Sequence, residues 1–211
     1  MPVAHAPVVT AQSAPMTALV LGLLLFLGVH STRVFADGWR SRVIAGRGEK
    51  PYKGLYSLVS IAGFALLVWG FGAARHDPVV LWPAPPVALR HLASLLTLAA
   101  FVLITAAYVP RNAIKARLHH PMLIGVKAWA LGHLLANNTL AEALLFGAFL
   151  AWAVVAFIAA RRRDRAQGTV YPAGTAGRTV QTVVIGVLAW AAFTFWLHRV
   201  LIGVQPLGMG A

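Results

Sequence analysis

An all-α fold, a polytopic integral membrane bundle of about six transmembrane helices, is what this sequence predicts, and three observations carry the prediction. Apolar residues make up 59% of its 211 residues and charged ones only 11%, with a mean hydropathy of +0.75. A soluble domain of this size would have about a quarter of its residues charged. Six apolar stretches are long enough, or nearly so, to cross a hydrocarbon core of about 30 Å. Finally, Lys and Arg crowd into alternate connections between those stretches, as they do in multi-pass proteins.

The elements follow in order. Residues 1–13 form a short N-terminal tail without Lys or Arg, so the charged start of a cleavable signal is missing and the first apolar run is expected to stay as a helix. The spans are placed at about Ala14–Phe35, Lys53–Ala73, Val87–Tyr108, Pro121–Ala136, Thr139–Ala160 and Thr179–Arg199. Together they make one transmembrane domain over residues 14–200, and residues 201–211 form a C-terminal tail. Asp77-Pro78 and the run Pro83-Ala84-Pro85-Pro86 break the chain after the second span. The fourth span opens on Pro121, suited to a first helical position, and closes on Asn137-Asn138, whose short polar side chains favour a tight turn. The fourth and fifth spans should therefore pair as a hairpin.

Orientation follows from the basic residues. The first loop has Arg40, Arg42, Arg47, Lys50 and Lys53, the third Arg111, Lys115 and Arg117, and the fifth Arg161, Arg162, Arg163, Arg165 and Arg178. The second loop has only Arg75 and Arg90. The positive-inside rule then puts the odd loops in the cytoplasm and leaves both termini facing out. The same asymmetry explains the net charge of +13 through topology and anionic lipid, so membrane lipid is the expected partner and nucleic acid is not. Cysteine is absent, which excludes disulfides, thiolate ligands and covalently attached haem.

Two histidines, His30 and His133, lie inside these spans, and an ionisable residue at membrane depth is a functional-site hypothesis by default. Taken singly, His30 reads as an interfacial histidine bonded to Ser31 or a carbonyl, and His133 as an interhelical pin. As a pair facing one cavity they are what a b-type haem requires. His133 lies about 18 Å from the inner start of its helix, about 10 Å deeper than His30. His120, nearer His30 in height, stands as an alternative ligand. Lys127 reads as a snorkelling side chain, or with Arg117 as a cationic partner for a haem propionate. Arg90 and Glu142 are expected to form a structural ion pair at the outer face. His91 and His198 read as interfacial, His5 and His76 as exposed, and Trp129, Trp152 and Trp190 as packed inside.

Four segments carry a resemblance: Gly28-Val29-His30-Ser31; Gly48-Glu49-Lys50-Pro51-Tyr52-Lys53-Gly54-Leu55-Tyr56-Ser57-Leu58; Lys115-Ala116-Arg117-Leu118-His119-His120-Pro121-Met122; and His133-Leu134-Leu135-Ala136-Asn137. Together they resemble the NnrU family over roughly residues 16–200. That resemblance implies a small bacterial inner-membrane protein associated with nitrite and nitric oxide reduction in denitrification. The family in turn resembles the plant 15-cis-zeta-carotene isomerase, which uses haem b held by histidines. Carried onto this chain, those ligands fall on His30 and His133. The implied partners are an apolar small-molecule substrate and nitrogen-oxide reductase components.

Two other classes stay open. The segment Arg117-x-x-His120-Pro121-Met122-Leu123-x-Gly125 is also similar to the cofactor-helix entry of membrane methyltransferases that use S-adenosylmethionine, although Glu142 stands alone where those enzymes tend to show a Glu pair. A non-catalytic assembly factor for nitrogen-oxide reductases is the other.

Overall fold

The computed structural model describes residues 9–207; His5 and the outer ends of both tails lie outside them. Ten α-helices are present among the described residues: α1 (Val9–His30), α2 (Thr32–Phe35), α3 (Asp37–Arg47), α4 (Glu49–Ala74), α5 (Val87–Tyr108), α6 (Ala113–Leu118), α7 (Pro121–Ala136), α8 (Leu140–Gln167), α9 (Ala176–Ala192) and α10 (His198–Ile202). A π-helical turn, Phe193–Leu197, joins α9 to α10. Five stretches are long and apolar enough to cross a membrane, the last running from Ala176 through the π turn to Ile202; α7, with 16 residues, is a shorter apolar helix. The chain is a multi-pass membrane protein. Its packing divides into two compact units, one from residues up to 82 with 139–148, the other from 83–138 with 149 onward.

In the first unit α1 lies against α4. Small residues make the seam: a Cβ on Gly63 would sit 2.7 Å from the Phe26 backbone nitrogen, so a side chain there would force the backbones apart. Helices that associate in lipid gain from such close approach, because burying apolar surface supplies no drive where the solvent is itself apolar. Their outward faces remain apolar, with Leu55, Leu58, Ile61 and Trp69 exposed. The first span differs from the sequence expectation, since α1 stops at His30 rather than continuing to Phe35. The Ser31 and Thr32 hydroxyls donate to the Leu27 and Val29 carbonyls at 2.7 and 2.8 Å, competing with the helix ladder as such residues do. The basic first loop then folds as α2 and α3, in which no residue is buried.

In the second unit α5 packs against both α7 and α9. Gly186 of α9 allows the second contact, because a Cβ there would lie 2.6 Å from Val102 Cα. α7 and α8 run antiparallel, as the successive pairs Trp129–Phe149, Lys127–Phe157 and His120–Asp164 record. The expected hairpin is present. Asn112, 1% exposed, organises the turn after α5: its Nδ2 donates to the Ala106 and Val109 carbonyls and its Oδ1 accepts from Lys115 N. A buried amide with three satisfied bonds fixes a turn, and those bonds offset the cost of taking it out of water.

Candidate functional site

The histidines sort by unit. His30, in the first, is the last residue of α1; its Nδ1 donates to the Phe26 carbonyl at 2.6 Å, and its ring lies 4.3 Å from Phe26 and 5.3 Å from Tyr56. His133, in the second, sits in the last turn of α7 with Nδ1 donating to the Trp129 carbonyl at 2.9 Å. In both, the partner is the carbonyl four residues earlier. A ring nitrogen bonded to a carbonyl must carry the proton, so the neutral imidazole bears its lone pair on Nε2. Histidines that ligate metals are held in this manner, with the second nitrogen donating to a carbonyl or carboxylate.

His133 lines a cavity of the second unit, a space of about 300 Å³ bounded by α5, α7 and the chain around the π turn. That volume falls at the lower end of small-molecule pockets. Phe101, Trp129 and Phe193 supply aromatic wall, Ser94 and Thr97 hydroxyls, and Arg90 a cation. Trp190 donates from Nε1 to Thr97 Oγ1 at 3.2 Å, fixing that hydroxyl from the α9 side. Trp129 and Trp190 are both half-buried.

One member of this lining was not visible as a site residue from its sequence position. His198, expected as an interfacial residue, also borders the cavity. Its Nδ1 donates to the Val204 carbonyl at 2.7 Å, leaving its lone pair on Nε2 as well. The π turn puts it there: the His198 N–H bonds to the Phe193 carbonyl five residues back, and the two rings meet edge to face at 5.8 Å. In a regular α-helix, residues five apart point about 140° away from each other. A π turn closes an i→i+5 hydrogen bond and so brings them to the same side, and such turns recur at functional sites.

The remaining sequence candidates lie elsewhere. His120, at the start of α7, holds Asp164 through Nε2 at 2.8 Å, and Tyr171 donates to the same carboxylate oxygen at 3.0 Å. His119, with a backbone φ of 66°, stacks on Tyr171 at 4.3 Å and meets Arg161 through Nδ1. Burial, then the hydrogen bond and negative charge of Asp164, push the Tyr171 phenol above its usual range. Lys127 places Nζ over the Phe157 ring at 4.0 Å, a cation–π contact, and Arg117 is exposed on α6. Neither borders the cavity; Arg90 does. Glu142 caps its own helix in the first unit, accepting from Thr139 N and Oγ1 at 3.1 and 2.7 Å while Thr139 Oγ1 accepts from Glu142 N. This capping box gives the carboxylate a local role at the start of its own helix.

Fold and site together define a helical membrane protein with a polar-and-aromatic cavity that presents imidazole nitrogens. Residues 18–206 match the family model described as NnrU protein, and the chain belongs to the NnrU family. No curated protein and no solved structure matches it.

Proposed function

We propose that this protein binds haem b through His133 and serves nitrite and nitric oxide reduction from the bacterial inner membrane. One observation carries the reading: His133 borders an aromatic cavity with its Nδ1 proton committed to a backbone carbonyl. Among the described residues no cluster of three or more His, Cys, Asp or Glu could hold a metal ion. A bare divalent ion is usually held by three or four protein ligands, whereas a haem iron brings four nitrogens and asks for one or two more. The donor set therefore suits haem.

Within this reading the chain's own residues divide the work. His133 presents Nε2, and the Trp129 carbonyl fixes the plane of its ring. Phe101, Trp129 and Phe193 exclude water and offer flat apolar surface, while Arg90 supplies the cation that a propionate would meet. The haem supplies an iron centre able to change oxidation state or exchange a ligand. His30, implied as a ligand by the resemblance, presents the same tautomer in the first unit. An S-adenosylmethionine site would call on His120, whose Nε2 is already bonded to Asp164.

The test is haem content after purification in detergent. His133→Ala should lose most of its haem at unchanged expression, and His91→Ala, altering an exposed residue outside the cavity lining, should keep it. Equal haem in wild type and His133→Ala would contradict the assignment.

A further inference from the structure

We infer that His198 is a second imidazole ligand to the group bound in the His133 cavity; the inference rests on the haem reading and names a residue that reading does not require. Three independent features point to it. His133 and His198 border one cavity, although 65 positions separate them in sequence. Both donate Nδ1 to a backbone carbonyl, at 2.9 and 2.7 Å, and so both carry the ligating lone pair on Nε2. The helix before His198 departs from α geometry over Phe193–Leu197, and that turn brings His198 onto the face of Phe193, itself part of the lining.

The π turn is otherwise hard to account for. Such turns are rare within α-helices and are frequent at functional sites. Thr194, 7% exposed, borders the same cavity, so the widened turn delivers three neighbours to it: Phe193, Thr194 and His198. The tail beyond α10 completes the arrangement. Gly203 turns the chain at φ 77°, and this brings the Val204 carbonyl back to His198 Nδ1. His198 is thereby held from both sides, by the π turn before it and the glycine turn after it.

Two nitrogen donors at an iron centre would give a low-spin, six-coordinate haem, and losing one would give a high-spin, five-coordinate one. The experiment compares absorption and electron paramagnetic resonance spectra of purified wild type, His198→Ala, His198→Met and His30→Ala, each loaded with haemin in detergent. The inference expects His198→Ala to retain haem, convert from low to high spin, and return to low spin on adding imidazole. His198→Met should stay low-spin with a raised midpoint potential, as a thioether ligand imposes. A low-spin spectrum in His198→Ala without imidazole overturns the inference, and conversion in His30→Ala alone assigns the second ligand to His30 instead. In both of those outcomes the haem reading stands, whereas a wild type that binds no haemin removes reading and inference together. A His198→Ala protein that no longer folds is recognised by its melting curve, and His198→Met then decides: a thioether signature supports the assignment and an unchanged bis-imidazole signature overturns it.

Discussion

At the scale of single residues, most polar side chains near the ends of the spans have local tasks. Glu142 is the clearest case, because its carboxylate and the Thr139 hydroxyl satisfy each other's backbone donors at the start of α8. Glu142→Ala should therefore lower stability by about 1 kcal/mol in a thermal or denaturant melt in detergent. A change of several kcal/mol would instead place the carboxylate in a dry ion pair. Tyr171 offers a pH-dependent test. Its phenol is held above the usual range by burial and by Asp164, so the neutral form stabilises the folded protein. That contribution is complete below the unfolded pKa of about 10 and is lost as pH rises past it toward the folded value. The stability difference between wild type and Tyr171→Phe should hold steady up to about pH 9 and shrink above it; a difference that grows with alkalinity would contradict the bond to Asp164. His30 and His133 were legible in the sequence because membrane depth makes any histidine conspicuous. His198 was not, since beside Arg199 near a span end it has the signature of an interfacial residue.

At the scale of elements, hydropathy and punctuation fixed more than side-chain chemistry did. α5 and α7 begin and end where Pro86, Pro121 and Asn137 predict, and the hairpin of α7 with α8 follows from the same signals. Two departures share a physical origin in backbone hydrogen bonding that hydropathy does not report. Ser31 and Thr32 divert carbonyls and end α1 early, and a five-residue π turn interrupts the last span. No sequence period announces that turn, because one extra residue in a five-residue stretch is too local to change the hydropathy pattern. The α1–α4 seam supplies a prediction of its own. Gly63→Ala places a methyl group against the Phe26 backbone and should cost about 1–3 kcal/mol, while Gly72→Ala, with open space around it, should be near neutral. Equal effects on melting temperature would mean that α1 and α4 do not approach so closely.

At the scale of the whole molecule, the basic residues and the apolar spans imply one arrangement in the membrane. The alternate loops that carry 13 of the 18 Lys and Arg residues should face the cytoplasm. A reporter active only in the periplasm should thus be active when fused after Ala211 and silent when fused within Arg161–Arg165. The reverse pattern would invert every assignment of inside and outside. The sequence also suggested a buried cofactor from two histidines and an absence of cysteine, and the structure adds a cavity, an aromatic wall and a third imidazole to that suggestion. The most direct measurement of the central claim is the pyridine haemochrome spectrum of the wild-type protein, purified from a haem-replete host. A b-type spectrum at close to one haem per chain is the predicted result, and a colourless protein that takes up no added haemin would contradict it.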